Sequence, residues 1–168
     1  LSNDSLTDGI WCVDNLSKEL GFVTGDKIVS VGGEPILRFS SIVEKMLSSK
    51  TVIVNRDNEE KTIIIPDNFI EQLIANEKTM LFYPRTPAII SSFIENSNCE
   101  KAGFLIKDRI VAINGFEINY HDEIAGALSS YKDSSILIDI LRGRDRVSIK
   151  TTVSPDGTIG YYPALLTF

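Results

Sequence analysis

The stretch "ELGFVTGDKIVSVGGEPI", Glu19 to Ile36, returns as "KAGFLIKDRIVAINGFEI", Lys101 to Ile118, without a gap and at a constant separation of 82 residues. Gly21/Gly103, Phe22/Phe104, Asp26/Asp108, Ile28/Ile110, Val29/Val111, Gly33/Gly115 and Ile36/Ile118 are identical, and Lys27/Arg109 and Val31/Ile113 match in chemistry. A period this long far exceeds the roughly 20 to 50 residues of solenoids and propellers, so each copy must close on its own small core. The 168 residues therefore read as tandem domains: 1–66 as the first, 67–78 as a linker helix, and 79–168 as the second with a C-terminal tail.

Each copy has the same order of signals. "KELGF" or "CEKAGF" ends a short helix at a glycine able to adopt a left-handed conformation, and the next Phe returns to the core. "DKIVSV" or "DRIVAI" is a β-branched run predicting a strand, followed by a "GG" or "NG" turn and a short return strand. "FSSIVEKML" and "HDEIAGAL" place Ile42/Met46 and Ile124/Leu128 at i, i+4 on an amphipathic helix, with Ser40 or Ser41, and Asp122 with Asn119, as expected caps. "TVIVNRDNEEKTIIIP" and "SILIDILRGRDRVSIKTTV" predict terminal hairpins that match Arg56 to Arg142. Between the copies, Asp67 is the expected cap of a helix with Phe69, Ile70, Leu73 and Ile74 clustered on one face.

Hydrophobic content of 43% with 24% charged residues is ordinary globular composition. No apolar run approaches the roughly 20 residues of a membrane-spanning helix, which predicts a soluble chain. A net charge of −6 and a pI near 4.8, without a basic stripe, argue against a nucleic-acid partner. The sequence begins at Leu1 without methionine or signal peptide and reads as a piece of something longer. Cys12 and Cys99 do not occupy equivalent repeat positions, so unpaired, buried or half-buried thiols are expected.

The block "PAIISSFIENSNCEKAGFLIKDRIVAINGFEI", followed by a helix and a strand ending in Arg-Gly, resembles a PDZ domain of the circularly permuted bacterial kind, and the first copy resembles it more weakly. The fold this implies is α+β: two PDZ-like domains, each a small, partly open β-barrel or sandwich with two helices. The close tandem pair, "FYPRTP" entering the second copy, and the tail "SPDGTIGYYP" are similar to RseP-type site-2 proteases, specifically Bacteroidetes members. These are membrane-embedded zinc metalloproteases that cleave anti-sigma factors, with PDZ domains on the periplasmic face of the inner membrane. The resemblance implies zinc in a parent protein, protein or peptide substrates as partners, and a module that gates or filters those substrates. Alternative readings are a substrate-tethering PDZ pair of an HtrA-like serine protease and a non-enzymatic scaffold.

PDZ domains add a peptide strand between a sheet edge and the amphipathic helix. The resemblance places the ligand-facing strand of the second copy at "TMLFYP", with Met80, Leu81, Phe82 and Tyr83 opposite His121, Ala125 and Leu128. This strand departs from the family pattern in lacking a glycine between its hydrophobic residues. His121 stands where many PDZ domains bond a ligand hydroxyl; a solvated histidine near a helix start is the other reading. Phe39, Val43 and Met46 would line the first groove or simply belong to its core, with "LSNDSL" as that groove's strand if it has one. The second groove is therefore expected to be the receptive one.

The family's H-E-x-x-H signature sets two imidazoles on one helical face, whereas this chain has one histidine. Neither a zinc site nor a Ser-His-Asp arrangement has the required residues at useful spacing, so the chain reads as non-catalytic and cofactor-free in itself. A structural metal would link binding to folding. Zinc or a chelator should therefore leave the melting temperature unchanged, and a chelator-induced drop of several degrees would overturn this.

Overall fold

A computed structural model describes residues 7–77 and 80–164. The chain forms two compact units divided between Arg85 and Thr86, and the repeat is visible in nearly every element of both.

In the first unit the elements are β1 (Ile10–Cys12), α1 (Asn15–Glu19), β2 (Lys27–Val31), β3 (Glu34–Pro35), a 3₁₀ turn (Phe39–Ser41) running into α2 (Ile42–Met46), β4 (Thr51–Arg56), β5 (Glu59–Ile64), α3 (Phe69–Ala75) and β6 (Phe82–Pro84). The second unit contains β7 (Ile90–Phe93), α4 (Asn98–Ala102), β8 (Arg109–Ile113), β9 (Phe116–Glu117), a 3₁₀ turn (His121–Glu123) running into α5 (Ile124–Leu128), β10 (Ser135–Arg142), β11 (Asp145–Thr152) and β12 (Tyr161–Pro163). The fold is α+β, dominated by strands.

Each unit has one four-stranded antiparallel sheet, ordered β3-β2-β4-β5 or β9-β8-β10-β11, and one two-stranded sheet, β1-β6 or β7-β12. These sheets stay open instead of closing into barrels. The β4–β5 and β10–β11 hairpins form where the alternating β-branched runs predict them. Along β10, Ile136, Ile138 and Ile140 point inward while Leu137 is left exposed, the period of two expected of a half-buried strand.

Each unit has its own core. Phe22, Met46, Val52, Val54, Phe69 and Leu81 belong to the first; Ile90, Phe104, Ile110, Leu128, Ile138 and Ile159 belong to the second. Two buried carboxylates tie the pieces together. Asp26 receives Arg56 Nε and Nη2 at 2.7 and 2.8 Å, and the same guanidinium donates to the Gly21 carbonyl at 2.8 Å. Asp108 receives Arg142 Nε and Nη2 at 2.9 and 2.8 Å, with Gly103 O at 3.1 Å.

Several sequence expectations require correction. The unit boundary falls at Arg85/Thr86, not at 78/79. The segment expected to link the domains belongs to the first: Phe69 is buried in its core and Leu73 packs against it, while Ile70 and Ile74 face outward. Seven residues of helix present one narrow face to the core, which takes Phe69 and Leu73 and leaves Ile70 and Ile74 to solvent. Asp67 does not cap α3, whose N-cap is Asn68; instead it pairs with Lys50. The first helix's expected serine caps make no side-chain capping bond, and in the second unit Glu123 reaches back to the Asn119 and Tyr120 amides at 2.8 and 3.2 Å.

The β8–β9 turn illustrates how local chemistry sets the register. Asn114 and Gly115 both have positive φ, 47° and 83°, between the paired residues Ile113 and Phe116. This is the backbone demanded of a two-residue hairpin whose twist matches its strands. A β-branched side chain is strained there, so Gly115→Val should destabilise the second unit by about 1–2 kcal/mol. Unchanged thermal melting of the refolded variant would refute that assignment.

Candidate functional site: a strand-beside-helix groove

In the first unit, β6 pairs with β1 in the register Ile10↔Pro84, Trp11↔Tyr83 and Cys12↔Phe82. No second strand joins its other side among the described residues. Alternation along β6 turns Phe82 inward, edge-on against Phe22 with centroids 4.7 Å apart, and Tyr83 to the opposite face, against Trp11 at 5.9 Å. Phe39, Ser40, Ile42 and Val43 from the 3₁₀ turn and α2 oppose Met80, Leu81 and Phe82 across a cavity of about 210 Å³. Six of these seven side chains are apolar. A volume below the roughly 300–1,000 Å³ of small-molecule pockets suits one or two peptide side chains better than a cofactor.

The pairing corrects the assignment of "MLFYP" to the second copy: it closes the first unit. Met80, Leu81 and Phe82 therefore line a cavity with Phe39 and Val43 of their own unit. The expectation that the second groove is receptive because it owns this strand loses its basis. Thr79 and residues 1–6, including the suggested "LSNDSL" strand, lie outside the described residues. Met46 and Leu128 are 0% and 2% exposed and belong to the two cores; Ala125 is exposed on α5.

The second unit builds its counterpart from the tail. Pro163 of β12 sits opposite Ile90 just as Pro84 sits opposite Ile10, making Tyr161-Tyr162-Pro163 the repeat of Phe82-Tyr83-Pro84. That tripeptide pair was the overlooked signal: it marks the end of each copy. The approach to β12 is tightly held. The carbonyls of Ile159 and Gly160 accept from the Cys99 and Ile94 amides at 2.9 and 3.1 Å. Gly160 has φ +84°, and a Cβ there would stand 2.4 Å from that of Ser97, the residue capping α4; only glycine fits.

His121 lies at the start of the helical wall in this unit. Its Nδ1 is 3.0 Å from the Tyr161 hydroxyl, with the rings edge-to-face at 83° and centroids 5.8 Å apart. Burial lowers the His121 pKa against the opposing effect of Asp122, and burial also raises the Tyr161 phenol above its ordinary range. Both groups therefore favour their neutral forms at neutral pH.

Cys12 and Cys99 are free and buried, one in each core. Burial raises both thiols, Cys99 to about 12, so neither is a ready nucleophile or ligand. Among the described residues no group of three or more His, Cys, Asp or Glu could hold a metal ion. The residues described do not fit zinc. No described helix is long and apolar enough to cross a membrane.

These features define a pair of repeated α+β units, at least one presenting an open apolar groove beside a singly paired strand. No family model matches the chain. It is 23% identical over 136 residues to a protein of Treponema pallidum (strain Nichols) named "Putative zinc metalloprotease", an alignment covering 77% of this chain and 29% of that protein. The chain thus spans less than a third of the relative's length.

The buried histidine gives a directional test. Its folded pKa lies below the unfolded value of about 6.5, so the unfolded chain takes up the proton first as pH falls. The second unit should lose stability as pH drops from 7 through 6.5 toward the lower folded value, then level off for this group. His121→Gln should flatten that part of the pH–melting profile, whereas an identical slope in the variant would contradict the burial effect.

Proposed function

We propose that the chain is the tandem PDZ-like, extracytoplasmic regulatory module of an intramembrane zinc metalloprotease of the site-2 type, gating or filtering protein substrates before they reach the protease. The observation that carries this reading is the first unit's groove, where a strand with one open side faces a short helix across an apolar cavity of about 210 Å³. Such a site takes an extended peptide as an added strand: main-chain hydrogen bonds supply affinity, and the cavity selects an apolar side chain. The metalloprotease relative, of which this chain matches 29%, supports a regulatory piece of a longer enzyme over a serine-protease tether. The chain's own role is recognition or obstruction, with the chemistry in the parent.

Hydrophobic C-terminal peptides titrated into the isotope-labelled chain should shift NMR signals of residues 39–43 and 80–82. Val43→Trp, a change at the half-buried groove wall, should abolish those shifts while leaving the fold intact. Shifts insensitive to Val43→Trp would count against this groove. In the parent enzyme, removing the two units should permit cleavage of substrates with bulky folded extracytoplasmic domains; unchanged size selectivity would end the gating reading.

A further inference from the structure

The same strand-beside-helix arrangement is built twice, but different residues meet across it. In the first unit the facing aromatics are Phe82 and Phe39, which both line the open cavity and carry no group for a side-chain hydrogen bond. In the second, the repeat places Tyr161 and His121 there, with the phenol oxygen 3.0 Å from Nδ1. We infer that the Tyr161–His121 pair is a latch that ties β12 to the helical wall and keeps the second groove shut to an added strand, leaving the first as the receptive one.

Both ends of the latch are anchored. Tyr161 pairs with Phe93 on β7 and packs its ring against the second core, while the preceding backbone is bonded to the start of α4 through Ile159 O and to Ile94 through Gly160 O. The His121 amide donates to Thr86 O at 2.8 Å. The Glu123 carboxylate fixes the turn by accepting from Asn119 and Tyr120. Both side chains are half-buried, so the bond forms where water competes poorly and electrostatic interactions are stronger. A peptide strand entering between β12 and α5 must part these walls, and parting them breaks the bond. The absence of the pair from the first unit follows from its sequence: two phenylalanines at the same repeat positions.

This inference rests on reading the clefts as peptide grooves, so its test separates the two ideas. Amide hydrogen exchange reads the latch without any ligand. Tyr161→Phe keeps the ring and removes the hydroxyl. It should speed exchange at Ile94 and Ala164, whose amides bond to Gly160 O and Ile89 O, by about fivefold to tenfold, with β10 and β11 amides unchanged. His121→Phe should also speed exchange there, and the double variant should fall short of the sum of the two single ones, because each breaks the same Tyr161–His121 bond. With hydrophobic C-terminal peptides, Tyr161→Phe should add NMR shifts at residues 121–128 that the unaltered chain does not show. Unchanged exchange, additive effects of the two substitutions, or shifts at 121–128 already present in the unaltered chain would overturn the latch. Missing shifts at residues 39–43 would count against the groove reading alone, because the exchange result judges the latch independently.

Discussion

A buried carboxylate gripped by one guanidinium organises each unit. Asp26 and Asp108 have side chains with 0% and 1% exposure, and an isolated charge at such a depth would be prohibitive. The cost is offset because both oxygens of each carboxylate accept hydrogen bonds, three in all. Arginine from the end of a hairpin strand donates twice, while the Val23 or Leu105 amide donates to the second carboxylate oxygen at 2.9 or 2.8 Å. The guanidinium's remaining reach goes to the carbonyl of the glycine that ends the short helix. Helix end, connecting loop, central strand and hairpin are thus fastened at one point. That point also sets where Phe22 and Phe104 enter their cores, and Phe22 supports the groove strand through Phe82.

Much of this was legible in the sequence because it is local or repeated. The 82-residue repeat, the Asn114-Gly115 turn and the match of Arg56 to Arg142 specify helix ends, turns and hairpins within short stretches. The groove strand was harder to place. Residues 82–84 lie beside the second copy in sequence but pair with residues 10–12 of the first, a long-range contact that no local propensity encodes. Helix periodicity likewise put Met46 and Leu128 on the groove-facing stripe, yet both are core residues: a five-residue helix has too little surface to line a groove and cover a core with the same side chains. Phe39 and Val43 reach the groove because they lie at the helix entry, where the 3₁₀ turn swings the chain toward β6.

The two units differ in the pair of side chains that the repeat sets across strand and helix. The surrounding elements, the carboxylate clamp and the closing tripeptide are repeated, while the facing pair changes from Phe82 and Phe39 to Tyr161 and His121. One oxygen and one imidazole convert an apolar opening into a bonded contact without disturbing the frame, since the frame is fixed elsewhere by Asp108 and Arg142. The change keeps an aromatic ring at each of the two positions and alters only the polar groups those rings carry.

The closing strands have a kinetic meaning as well. Ile10 pairs with Pro84, and Ile90 with Pro163, so each short sheet closes a loop of roughly seventy residues, whose entropic cost is smaller once the four-stranded sheet inside it has formed. On a growing polypeptide, the wall of the first groove arrives after every other part of its unit. The short sheet is consequently the last part of each unit to be completed as the chain is made.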